Sequence, residues 1–141
     1  MLTPVKEILK MASDANTSVI AFNCTDYNMI YSVAHAADKV NKPVLVMLYP
    51  EHCTLNNMCN PELFVAAAAA VAKEVKVPVG VHLDHCQDLN YIIRSIKAGF
   101  SSVMYDGSML SVEENIVNTR KVVDIAHAFD VAVEAELGHV G

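Results

Sequence analysis

The residues best suited to chemistry are Asp84 and His85, side by side at the end of the run Val79-Gly80-Val81-His82-Leu83. In that run Gly80, His82 and Asp84 share one parity, and Val79, Val81 and Leu83 the other. Such a pattern suits a barrel strand with a helix-covered apolar outer face and an inner face lining a site. Asn23, Tyr49, Asp106 and Glu136 stand at the carboxyl ends of four further apolar runs. Imidazole with carboxylates suits zinc or a similar divalent ion, and His85 is the candidate ligand. Asp84, next to it, is placed to act as general acid or base near a polarised oxygen, or else to orient His85. Asp106 and Glu136 suit either a second cation or the capping of the turns that follow them.

The other histidines are less suited to ligation. His82 points inward one layer below Asp84, a supporting or core position, while His35 and His127 fall within helical patterns. His52 and His139 lie in loops and remain open as ligands. Gly107-Ser108 either offers hydrogen bonds to a ligand or is an ordinary turn composition.

The elements that position these residues follow from periodicity and caps. Thr3 to Ala15 reads as a helix with Leu9 and Met11 among its apolar positions, followed by a strand over Ser18–Phe22. Asp26 caps a helix carrying Met29, Ile30, Val33 and Ala37, and Pro43 opens a strand over Val44–Leu48. Tyr49 to Asn60 is the longest predicted loop; Asn60-Pro61 then starts a helix, and Pro78 opens the central strand, which stops at His85. Asp88 caps a helix bearing Leu89, Ile92, Ile93 and Ile96, which Gly99 terminates. Ser101–Tyr105 is a strand. Ser111-Val112-Glu113-Glu114 is a capping box for a helix to about Ala128, and Val131–Ala135 is the last strand. Alternating strands and helices predict an α/β fold with a parallel sheet and right-handed crossovers. Polar residues at the carboxyl ends match the face on which a (β/α)8 barrel keeps its chemistry.

Among 141 residues, 53% are apolar and 18% charged, as in a globular domain with a substantial core. A formal charge of −6 without Lys/Arg runs argues against nucleic-acid binding. The apolar stretch Leu63 to Ala72 is too short to span a bilayer, and no signal peptide is visible at Met1 to Lys10. Cys24, Cys53, Cys59 and Cys86 show no CxxC spacing, so they fit reduced, cytoplasmic thiols packed as small hydrophobes.

His82-Leu83-Asp84-His85, Gly99 to Ser108, Glu114-Asn115 and Val133-Glu134-Ala135-Glu136-Leu137-Gly138 occur together in an order and spacing that resemble the class II, metal-dependent ketose-bisphosphate aldolases. Ala21-Phe22-Asn23 fits that family's first strand. The resemblance implies a (β/α)8 TIM barrel of which this chain covers about the first five β/α units. It implies zinc-dependent cleavage of a ketose 1,6-bisphosphate, with fructose 1,6-bisphosphate giving glycerone phosphate and glyceraldehyde 3-phosphate. His85 would ligate the zinc that polarises the ketone, and Asp84 would take the C4 hydroxyl proton. Asn23 would hold substrate, and Asp106 and Glu136 would serve a second or alternative metal position. A phosphorylated sugar is then the expected partner, with neither nucleic acid nor membrane, in a homo-oligomer (dimer or tetramer).

Two departures bear on that expectation. Where the family has Gln-x-Ser, this chain has Met47-Leu48-Tyr49, which leaves tagatose-bisphosphate and deoxy-ketogluconate-phosphate aldolases as alternative substrate classes. The chain also reads as the amino-terminal part of a barrel and is expected to be inactive alone; a non-catalytic half-barrel assembly module is the competing reading.

Overall fold

A computed structural model of the chain describes residues 1–52 and 60–138. The elements are α1 (Val5–Asp14), β1 (Ile20–Asn23), α2 (Tyr27–Lys39), β2 (Val44–Leu48), α3 (Pro61–Val71), β3 (Val79–Cys86), α4 (Leu89–Ala98), β4 (Ser102–Tyr105), α5 (Val112–His127) and β5 (Ala132–Ala135). The strands pair in chain order, β1-β2-β3-β4-β5, all parallel. The expected α/β architecture is therefore present.

The predicted caps are in place. Asp26, Asn60 and Asp88 accept from the backbone N–H of Met29, Leu63 and Asn90, Ser111 and Glu114 form the reciprocal capping box, and Gly99 ends α4 in the left-handed region at φ 110°. Val79, Val81 and Leu83 of β3 are buried with Ile30, Phe64, Ile92 and Val122 in the layer between the sheet and α2–α5. The opposite face is lined at its foot by Leu45, against which Val5 and Ile8 of α1 pack. Gly80 makes that approach possible: a Cβ there would lie 2.7 Å from Leu45 Cδ2 and 3.0 Å from Ile8 Cδ1.

Three sequence expectations need correction. The buried face of α1 is Val5, Ile8 and Ala12; Leu9 and Met11 are exposed, because the sheet above, not apolarity alone, selects the inward stripe. Residues 50–52, placed in the long loop, are helical, consistent with Pro50 at a helix start. Residues 53–59, with Cys53 and Cys59, lie outside the described part. Finally, β3 does not stop at His85 but continues to Cys86.

Candidate active site

That extension of β3 builds the site. Leu83 pairs with Val103 and Cys86 with Tyr105, so Asp84 and His85 together face the single residue Met104. This is a β-bulge, and His85 takes φ 38° within it. Strict alternation would send His85 to the helix layer, opposite Asp84; the extra residue turns both towards the carboxyl end of the sheet.

There, His85 Nδ1 lies 3.1 Å from Asp106 Oδ2 and 3.6 Å from Glu136 Oε2, while its Nε2 is 4.0 Å from Asp84 Oδ1. One ligand atom each from His85, Asp106 and Glu136 falls within 4.8 Å of the others. Burial pulls the His85 pKa down, but the Asp106 hydrogen bond and the charges of Asp84, Asp106 and Glu136 outweigh it and raise the pKa. Burial acts to raise the Asp106 pKa, but hydrogen bonds from the Ser108 hydroxyl and backbone and from His85 bring it below the usual range. Asp106 Oδ1 accepts from Ser108 N at 3.0 Å and Ser108 Oγ at 2.6 Å, so Ser108 closes the turn onto Asp106.

Asn23 reaches the same place from β1. Its Nδ2 donates to Asp84 Oδ2 at 2.8 Å, whereas its Oδ1 is buried without a hydrogen-bond partner among the described residues. A buried, unpaired amide oxygen beside a carboxylate is ready to accept from a hydroxyl. Tyr49 stands at the end of β2 with its ring centre 6.0 Å from that of His85 and 4.8 Å from that of His52. Its hydrogen bond with Glu51 leads the causes that raise its pKa.

The strand ends thus bring Asn23, Asp84, His85, Asp106 and Glu136 together, and Tyr49 borders them. His82 lies below, buried, with Nδ1 2.8 Å from Ser102 Oγ and Nε2 3.5 Å from Glu134 Oε2. Burial lowers its pKa against the opposing pull of Glu134 and Asp84, and it stands as a prop under the site. His35 and His127 sit on α2 and α5, away from the group, and His139 lies outside the described residues. Ser102, Glu134 and Asn115 stand within the quoted sequence motifs, but the sequence assigned none of them a role. The first two share the inward parity of their strands, which was available as a signal.

Residues 3–141 match the family model for class-II fructose-bisphosphate aldolase. The chain belongs to the class-II fructose-bisphosphate aldolase family. It is 35% identical over 136 residues to a sulfofructosephosphate aldolase of Alkalicoccus urumqiensis, covering 96% of this chain and 46% of that protein. It is 35% identical over 140 residues to a fructose-bisphosphate aldolase of Thermus caldophilus, covering 99% and 45%. Among solved structures, the YdjI aldolase of Escherichia coli K12 superposes with a TM-score of 0.88 at 30% identity, over 99% of this chain and 52% of that one. The chain spans about half the length of these relatives, and the solved aldolases it superposes on are TIM barrels.

Proposed function

We propose that residues 1–141 are the amino-terminal portion of a single barrel domain whose enzyme is a zinc-dependent ketose-phosphate aldolase, with fructose 1,6-bisphosphate as substrate and glycerone phosphate and glyceraldehyde 3-phosphate as products. The observation that carries this reading is the convergence of His85, Asp106 and Glu136 within 4.8 Å, beside the Asp84–Asn23 pair. One imidazole and two carboxylates form a donor set that fits zinc or another divalent ion, and the repulsion between the carboxylates gives the site a reason to take a cation. The ion, when bound, supplies Lewis-acid polarisation of the substrate ketone.

The chain's own residues do the rest. Asp84 accepts the C4 hydroxyl proton as the carbon–carbon bond breaks and returns it during condensation. Asn23 holds Asp84 through Nδ2 and offers its buried Oδ1 to a substrate hydroxyl. Tyr49 against His85 favours a second reading, in which the ketose phosphate is of another class, such as tagatose bisphosphate or a deoxy-ketogluconate phosphate: a phenol narrows the mouth where a small hydroxyl would leave room.

Among the described strands β1 and β5 each pair on one side only, which supports an enzyme completed elsewhere and inactivity of the 141-residue chain alone. The same open edges support a homo-oligomer, and the buried free thiols of Cys24 and Cys86 support a cytoplasmic setting. Zinc titration of the purified chain, monitored by calorimetry, tests the metal site. Saturable binding that His85→Ala abolishes is expected, and no binding overturns the reading. Cleavage of fructose 1,6-bisphosphate at enzymic rates by the 141-residue chain alone overturns the inactivity.

A further inference from the structure

Asn115 lies inside the first turns of α5 and is buried, 7% exposed. Asparagine is a poor choice within a helix, because its side chain competes for backbone groups, and a worse one facing a core unless both ends of its amide are used. Here both are. Nδ2 donates to the backbone carbonyl of Glu136 at 2.8 Å, and Oδ1 accepts from Thr119 Oγ1, one turn along the helix, at 3.0 Å. The Glu136 carbonyl lies just past the last ladder pair, Tyr105 with Ala135, where pairing with β4 no longer fixes the main chain.

The same amide rests on Gly107. A Cβ at that position would lie 2.2 Å from Asn115 Oδ1 and 2.6 Å from its Cγ. Gly107 is not among the glycines with positive φ, so the turn itself does not demand a glycine; the seat of Asn115 does. One helix side chain therefore sits on the residue that follows Asp106 and grips the main chain of Glu136.

We infer that Asn115, seated on Gly107, is a positioning residue that sets the spacing between the Asp106 and Glu136 carboxylates for a shared cation. The inference rests on the metal-site reading of those residues. Without the amide, the Glu136 backbone loses its only bond to α5 among the described residues, and the carboxylate opposite His85 Nδ1 loses its fixed origin. Partners that orient ligands in this way change metal affinity without touching the ion.

The test compares zinc affinity by calorimetry and the visible absorption of the Co2+-loaded protein in wild type and variants, each well below its thermal midpoint. Asn115→Leu keeps approximate volume but removes the donor, and it is expected to weaken zinc binding roughly 10- to 100-fold and alter the Co2+ spectrum. Asn115→Asp reports if the leucine variant does not fold. It keeps the seat on Gly107 but sets a carboxylate oxygen against the Glu136 carbonyl in place of the donor; its added charge alone would favour a cation, so weaker binding reports the displaced Glu136 main chain. Val122→Ala, in the core on the same helix, is expected to lower thermal stability while leaving zinc affinity and the Co2+ spectrum unchanged. Wild-type affinity and spectrum in both Asn115 variants overturn the inference, as does equal weakening in Val122→Ala. Absence of zinc binding in wild type, or binding that survives His85→Ala, instead overturns the metal-site reading, and the positioning role with it.

Discussion

The foot and the top of this sheet are built from the same strands a few residues apart, yet they are stabilised in different ways. At the foot, Val5 and Ile8 pack on Leu45 above Gly80, and α1 is tied down by Thr3 N donating to Val79 O at 2.9 Å and Val5 N to Ser101 Oγ at 3.1 Å. Apolar packing there is close and the backbone donors are paired. At the top, two carboxylates compete for one imidazole nitrogen, the Asn23 amide oxygen has no partner among the described residues, and His85 occupies a conformation L-residues avoid. The foot serves stability. The top keeps unmet interactions that a ligand can satisfy.

That separation can be tested by substitution, the strongest effect coming from the foot. Ile8→Ala, at a fully buried position, should cost about 2–5 kcal/mol by chemical denaturation while leaving the zinc affinity of the folded protein unchanged. A changed affinity would break the separation. Asp106→Asn should do the reverse, weakening zinc binding by at least about tenfold, or ~1.4 kcal/mol, with a smaller change in metal-free stability.

His82, between the two regions, gives a pH signature. Burial holds its folded pKa below the ordinary 6.5, outweighing Glu134 and Asp84, so the unfolded chain binds a proton more readily. Its contribution to stability is therefore present above 6.5 and lost as pH falls through the lower folded value. His82→Gln should flatten the fall of metal-free stability as pH drops below 6.5; an unchanged slope would show that His82 does not contribute to it.

Burial pushes the Cys24 thiol up to about 12, aided by Asp26, and the Cys86 thiol up to about 11. Both should resist iodoacetamide in the native protein at mildly alkaline pH, as read by peptide mass mapping. The smallest effect is expected at the exposed Arg94–Glu62 pair, bidentate at 2.8 Å: Arg94→Ala should leave the melting temperature and zinc affinity unchanged.

The contrast between the two regions also explains what the sequence disclosed. Caps such as Asp26, Asn60 and Ser111 act within one helical turn, and β-branched runs punctuated by Pro43, Pro78 and Gly99 announce their strands, so the parallel architecture was legible. Asn23, Asp84, His85, Asp106 and Glu136 could be aligned because each closes such a run. The bulge at His85 was not legible, since it is set by how β3 meets β4. Nor was the inward face of α1, where Ile8 is buried and Leu9 is not; the sheet makes that selection. Asn115 and Glu136 are 21 residues apart, and no local pattern reports a bond across that distance.

The left-handed backbone at His85 has a consequence for any selection that rewards robustness alone. A residue with a Cβ is disfavoured there by roughly 1–2 kcal/mol, whereas glycine adopts φ 38° freely. His85→Gly should therefore relieve backbone strain as it removes the imidazole at the centre of the site. Thermostability screens on this chain would accordingly favour loss of the imidazole at this position, and a variant library is best built with His85 held fixed.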